Sequence, residues 1–540
     1  MSRSPACLVV AVAVALVTAL GACANPSPPR PAEAPRPGTE PRLVVLLIVD
    51  QWPEWSFEAK RPALTGGFDR LLREGEWHVG QHPSAATITA VGHALLGTGE
   101  PPYHSGILAN EWWHRDLEKQ LKAIESEDGT LSARWLRVPG LGDAVAAAKT
   151  GGKAVSISLK DRAAILPLGH AGTAIWYDPK RVAWTSTASP AWLAEWNAAH
   201  PIAAHLHDVW TPLPETAGLA GVPDDAPGEV GEKDLGPTFP HKLDATRSPA
   251  DAVFAAPLGN DLVFDTATAA IEREQLGADD KPDLLILSLS AHDYIGHGWG
   301  QESWETWDAV LRIDRRLGRF LADLDAKVGA GRWAMIATSD HGASPMPESL
   351  HGGRISYAQI QDAANRAAIA ELGPGDWVAN ARYPTVYLSR AALAQKPRDL
   401  AVAMTKIVYA LRSFPGLERV EKSGDFWGHC ETRTADAFLI CITLDPERSG
   451  EIVYMPAKGW VLEDSDDVVA TGHGSLQPYD RLVPVILLPP GRTAHPALSG
   501  PDPTTIEMGR IATVLARWLG VPPPSSLPRL PAAASAPAAP

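Results

Sequence analysis

Positive charge, cysteine and long apolar runs are all scarce in this sequence, and each shortage excludes something. Lysine and arginine number 48 against 63 acidic residues, a net charge of −15. A surface of that sign repels polyanions and argues against a nucleic-acid polymer as partner. A small anionic substrate stays open if the site carries local positive charge. One apolar stretch, Leu8 to Leu20, is long enough to raise the question of a membrane. It falls short of the roughly 20 residues of a spanning helix, so a multi-span membrane protein is excluded. Four cysteines are present, two of them N-terminal, which leaves the pair Cys430 and Cys441 for the body of the chain. No internal repeat is visible. What is there is a globular composition, 45% hydrophobic and 21% charged, which rules out a mostly disordered chain. Its 540 residues have room for two to four domains at about 100–200 residues each, or one large domain with insertions.

Residues 1–22 read as an export signal, with Arg3 ahead of the apolar stretch. The stretch ends in Leu20-Gly21-Ala22-Cys23, which resembles a bacterial lipobox, the signal for cleavage before Cys23 and its lipidation; a plain cleavable signal peptide is the alternative. Either puts the mature protein outside the cytoplasm, on the periplasmic or cell-envelope face. A lipid on Cys23 tethers it to a membrane without a spanning helix. Residues 23–42, with prolines recurring from Pro26 to Pro41, read as a stiff tether. The tail 521–540, rich in Pro, Ala, Ser and Leu, reads as disordered. In an oxidising compartment Cys430 and Cys441 are expected to form a disulfide, two buried thiols being the alternative.

Three short apolar runs, Leu43–Val49, Leu284–Leu289 and Trp333–Thr338, each lead into polar residues. Runs of this kind suit strands buried on both faces of a parallel sheet. Between them Trp304, Trp307, Leu311, Leu317, Phe320, Leu321 and Leu324 recur at helical spacing. The alternation predicts an α/β fold, a three-layer sandwich around a mostly parallel central sheet, over residues 43–520. Residues about 115–280 and 355–460 fit the pattern less well and are expected to be insertions that cap the strand ends.

Ligands in such folds bind beyond the carboxyl ends of the strands. Asp50, Asp340-His341 and Asp293-x-x-x-His297 fall there, and His473 lies in the glycine-rich stretch 471–475. Three Asp and three His offer N and O donors suited to zinc, manganese or cobalt. Thr89, where a turn enters a helix, is a candidate nucleophile, since a helix N-terminus favours an anion and a metal lowers a hydroxyl pKa; a plain N-cap role for Thr87 or Thr89 is the alternative. His93 is read as structural and His205-x-His207 with Asp208 as a surface group of the cap, another metal site being the alternative there; His429 is uninformative.

The stretch Ile88-Thr89-Ala90-Val91-Gly92-His93, followed by Gly97-Thr98-Gly99, His104-Ser105-Gly106-Ile107 and Asn110, resembles the nucleophile region of the alkaline phosphatase superfamily. It is most similar to the branch of type I phosphodiesterases, nucleotide pyrophosphatases and PafA-type alkaline phosphatases. Asp293-Tyr294-Ile295-Gly296-His297, Asp340-His341-Gly342 and His473-Gly474-Ser475 follow in the family's order, and residues 156–166 resemble the PafA-type subgroup. The resemblance implies two Zn2+ ions, one held by Asp293, His297 and His473, the other by Asp50, Thr89, Asp340 and His341. It implies attack by Thr89 on phosphorus, a phosphothreonine intermediate and release of inorganic phosphate. Asn110, Lys160 and Arg162 are the implied substrate-binding residues. Three Asp and a Thr alkoxide balance two zinc ions, so a Lys-x-Arg pair added to a neutral core favours the dianion of a monoester over the single charge of a diester. The expected activity is therefore phosphate monoester hydrolysis, with a phosphodiesterase or nucleotide pyrophosphatase as the alternative. A sulfatase is disfavoured, because Thr89 stands where a cysteine is needed.

Overall fold

The computed structural model describes residues 40–433, 435–464, 468–491 and 502–525. The signal segment, Cys23, most of the tether and residues 526–540 of the tail lie outside the described residues.

Nine strands form the central sheet: β1 (Leu43–Val49), β2 (Glu76–Gln81), β3 (Ala154–Ser158), β4 (Thr173–Asp178), β5 (Ala183–Ser186), β6 (Asp283–Leu289), β7 (Trp333–Thr338), β8 (Leu482–Leu488) and β9 (Asp502–Glu507). Their order is β9-β2-β8-β7-β1-β6-β3-β4-β5. The middle of the sheet, β7 to β4, is parallel. Antiparallel β8 and β5 break the pattern on either side. The sheet is therefore mostly parallel, as the buried apolar runs require.

Among the helices that cover its two faces are α1 (Thr89–Thr98), α2 (Pro257–Glu274), α3 (Ala291–Trp299), α4 (Trp304–Leu324) and α5 (Arg510–Trp518). Alternation along β1 decides which helix packs where. Val44, Leu46 and Ile48 share a core with Val91 and Leu95 of α1 and Ile511 and Leu515 of α5. Leu43, Val45 and Leu47 share the opposite core with Phe264 of α2 and Leu317 and Phe320 of α4. Helix α4 has the bounds its periodicity predicts and starts where the Ser303 hydroxyl accepts the Thr306 N–H at 3.1 Å.

The first expected insertion is corrected in part. Within 115–280, β3, β4 and β5 extend the central sheet and α2 packs on it. Ser156 and Ser158 alternate with the apolar residues of β3 and interrupt the continuous run expected of a buried strand, although the whole strand is buried. The second region forms a separate antiparallel sheet from Val378–Asn380, Thr385–Leu388, Ile452–Pro456 and Leu417–Lys422, in that order. Helices Tyr357–Leu372 and Pro397–Arg412 pack beside it. At its two ends Gly353–Ser356 and Trp460–Glu463 pair in parallel. Cys430 and Cys441 are joined as a disulfide there, with Cα atoms 5.6 Å apart.

Phe320 is fully buried against Phe264, ring centroids 5.4 Å apart. Phe320→Ala is expected to cost about 3–5 kcal/mol in urea unfolding. Tyr409→Ala, at a side chain 74% exposed, is expected to stay within about 0.5 kcal/mol of the parent.

Candidate metal centre and catalytic cavity

Four adjacent strands deliver the site. Their ends are nearly level: Ile48 pairs with Thr338, Val49 with Leu289 and Ser288 with Ser158. Just beyond them come Asp340 and His341 after β7, Asp50 after β1, Asp293 after β6 and Lys160 after β3. These side chains are buried: Asp50, Asp340 and His341 are 0% exposed, and Lys160 is 2%.

Thr89 opens α1, with extended Ile88 as N-cap and no side-chain cap bond. The Ala90 N–H is taken by Asn110 Oδ1 at 2.9 Å. Neither threonine caps the helix, and Thr89 Oγ1 lies 3.3 Å from Lys160 Nζ at its positive end. Gly92 lets the helix approach β7: a Cβ there would stand 2.1 Å from the Asp340 carbonyl oxygen.

The histidines are oriented by backbone carbonyls. Nδ1 of His297, His473 and His341 faces Thr471 O (2.9 Å), Thr87 O (2.7 Å) and Gly342 O (3.0 Å). A carbonyl only accepts, so each Nδ1 carries the proton and each Nε2 offers a lone pair. The Nε2 atoms of His297 and His473 are 3.2 Å apart, and they lie 3.4 and 3.6 Å from Asp293 Oδ1. Ligand atoms around a tetrahedral zinc stand about 3.3 Å apart, so this triangle fits one face of such a site. Beside it His341 Nε2 lies 3.6 Å from Asp50 Oδ1 and 3.4 Å from Asp340 Oδ2. Asp50 Oδ1 and His341 Nε2 are buried without a hydrogen-bond partner. Both groups fit a divalent cation with N and O ligands.

Among the described residues, potential ligand atoms come within 4.8 Å of one another in three groups: Asp293-His297-His473, Asp50-Asp293-His341 and Asp50-His93-Asp340. The first expected set is one of these groups, while Asp50, His341 and Asp340 of the second are divided between the other two, with Thr89 linked to Asp50 and Asp293 through Lys160. His93, read as structural from sequence, stands closer to the chemistry than expected. Its Nδ1 is 2.9 Å from Thr89 O and 3.0 Å from Asp340 Oδ2, and its Nε2 is 2.8 Å from Ser288 Oγ. Its place one turn after Thr89 was the available signal. His205 and His207 stay at the surface, paired with Asp208 and Asp244.

The charges oppose and offset one another. Burial, with Asp340 nearby, pushes the Asp50 carboxyl well above its usual range. Burial acts the same way on Asp293, but Lys160 and His297 outweigh it and hold that carboxyl well below. Burial disfavours the Lys160 ammonium, yet Asp293 at 2.5 Å and Asp50 at 2.8 Å keep it charged beyond the usual lysine range. Lys160 is therefore a donor and not a base.

A cavity of about 300 Å³ opens over the group. Thr89, Asn110, Arg162, Asp293, His297 and His473 line its inner wall; Tyr357, Arg382, Tyr383 and Asp464 come from the second sheet region and its edge. Arg382, which nothing in the sequence singled out, is held by Glu111 at 2.8 Å and Asp464 at 2.5 Å over the Tyr357 ring.

The chain as a whole is similar to known proteins. Alkaline phosphatase PafA of Elizabethkingia meningoseptica is 30% identical over 481 residues, 83% of this chain and 87% of that protein. Alkaline phosphatase PhoV of Synechococcus elongatus is 28% identical over 517 residues, covering 90% and 93%. The PafA crystal structure superposes with a TM-score of 0.79 at 27% identity, over 90% of this chain and 97% of that one. A phosphonoacetate hydrolase of Sinorhizobium meliloti, at 17% identity and a TM-score of 0.53, covers 89% and 96% and shares the fold. The model of the type I phosphodiesterase / nucleotide pyrophosphatase family matches residues 44–476. That span runs from before Asp50 to beyond His473 and takes in most of the chain, and the chain belongs to the type I phosphodiesterase / nucleotide pyrophosphatase family.

Proposed function

We propose that this protein is a two-zinc alkaline phosphatase that hydrolyses small phosphate monoesters through a phosphothreonine at Thr89. The observation that carries the reading is the position of Thr89 Oγ1. It lies at the start of a helix, on the wall of the cavity that also exposes Asn110, Arg162, His297 and His473, and within reach of the Lys160 ammonium. In chain order, a threonine, an asparagine, a lysine and an arginine are the residues replaced together in a solved PafA variant. Thr89, Asn110, Lys160 and Arg162 follow that order here.

Asp293, His297 and His473 would hold one cation, and Asp50, Asp340 and His341 the other, with Thr89 facing the second. Such a pair supplies charge neutralisation at the attacking and leaving oxygens and lowers the pKa of a bound hydroxyl. The protein supplies the rest. Thr89 Oγ forms a bond to phosphorus as the bond to the alcohol oxygen breaks, and the helix N-terminus favours the anion that develops there. Water then attacks the same phosphorus, and Thr89 is released with inorganic phosphate. Lys160 and Arg162 bring two positive charges to the non-bridging oxygens, and Asn110 adds a neutral donor with its oxygen already fixed on Ala90.

The second reading, a phosphodiesterase or nucleotide pyrophosphatase on the same centre, is favoured by the name of the family model. Lys160 and Arg162 weigh against it, since a diester presents only one charge to them. Export, with lipidation at Cys23 and a place on the periplasmic or cell-envelope face, belongs to the same proposal. Among the described residues no helix is long and apolar enough to cross a membrane.

Thr89→Ala is expected to lower p-nitrophenyl phosphate turnover by at least about a thousandfold while zinc content stays near that of the parent. Near-normal turnover would remove Thr89 as the nucleophile. Lys160→Ala is expected to reduce kcat/KM for p-nitrophenyl phosphate by about a hundredfold and for the bis-ester by much less. Equal losses would refute the charge argument, and a parent enzyme that prefers the bis-ester would favour the second reading.

A further inference from the structure

Gln51 follows Asp50 with φ of 63°, a left-handed backbone seldom adopted by a glutamine, and it is fully buried. Two arms leave this one residue. Its backbone N–H donates to Asp340 Oδ1 at 3.2 Å. Its side-chain Nε2 donates to Asp293 Oδ1 at 3.0 Å. Asp340 Oδ1 also takes the His341 N–H at 3.1 Å, which leaves Oδ2 turned to His341 and His93. Asp293 Oδ1 is the oxygen beside His297 and His473.

The side-chain arm is itself held. Gln301 Nε2 donates to Gln51 Oε1 at 3.0 Å and to Gln51 O at 3.1 Å, which fixes which end of the Gln51 amide faces Asp293. Ser56 Oγ donates to Gln301 Oε1 at 3.1 Å, and Lys60 Nζ donates to Gln301 O at 2.6 Å. Gly296 leaves the room: a Cβ there would stand 1.8 Å from Gln51 Oε1.

We propose that Gln51 is a positioning residue that joins the two ligand sets, its backbone arm holding Asp340 and its side-chain arm, locked by Gln301, holding Asp293. A strained backbone persists where its surroundings over-determine it, and here bonds to aspartates from both sets do so. The inference rests on the two-cation reading above. Hydrogen bonds of this kind set ligand orientation, and their loss typically weakens metal binding about 10–100-fold.

The test is a Zn2+ titration of the chelator-stripped full chain against a chromogenic competitor, with no activity readout. Gln51→Gly keeps the backbone N–H and adopts the left-handed φ without strain, so only the side-chain arm is lost. One of two zinc ions is expected to bind about 10–100-fold more weakly, and the other within about twofold of the parent. Gly296→Ala ordinarily favours a helix, yet here it is expected to weaken the same ion by displacing the Gln51 amide. Unchanged affinities in Gln51→Gly, with only a lower Tm of the metal-free protein, would reduce Gln51 to a packing role and overturn the proposal. Equal weakening of both ions would overturn the division into two arms. A parent chain that takes up no zinc would overturn the two-cation reading itself.

Discussion

Three buried aspartates gathered around a single buried lysine are the constraint on which the rest of this structure depends. Each charge removed from water costs several kcal/mol unless it is compensated. Lys160 reaches Asp50 and Asp293, and two histidines stand by Asp340, His93 turning its Nδ1 to it and His341 its Nε2. The group therefore calls for further positive charge, and the lone pairs of Asp50 and His341 that lack a hydrogen-bond partner show where it fits. A parallel sheet meets the geometric side of the demand. Its level strand ends bring residues from distant parts of the chain into one water-poor volume without long loops.

The same constraint sorts the roles of the cations. A lysine pinned between carboxylates stays protonated, so it serves charge and not proton removal. The Thr89 hydroxyl beside it meets the positive ends of a helix and an ammonium together. Arg162 lines the cavity side. The site is thus negative at its floor, and Arg162 and Arg382 stand among acidic residues along the cavity wall.

Where the chain made buried structure from continuous apolar residues, the sequence was readable. β1, β6 and β7 are such runs, and the polar residues after them are the ones that meet in space. The amphipathic stripe of α4 was equally plain. β3 was not, because Ser156 and Ser158 look like surface residues until a neighbour accounts for them: the Ser158 and Ser290 hydroxyls meet at 2.8 Å. Gln51 and Arg382 left no mark for a similar reason. Their roles lie in partners hundreds of positions away or on another sheet, and residue type alone does not announce a partner. His93 was visible as a histidine on the right helix, but its contact with Asp340 depends on the approach that Gly92 permits.

The second sheet leaves and rejoins the core between two short strands that pair with each other in parallel. Its entry and exit points are therefore neighbours in space, although about a hundred residues of chain separate them. Such an excursion behaves as a cassette: its length and contents can change while the ends stay clasped, at a closure cost that grows only slowly with loop length. Its exit strand, however, ends ten residues before His473. A new roof on this cavity would arrive attached to a short leash on one of the residues beneath it, so diversification of the roof is bounded by what that histidine tolerates.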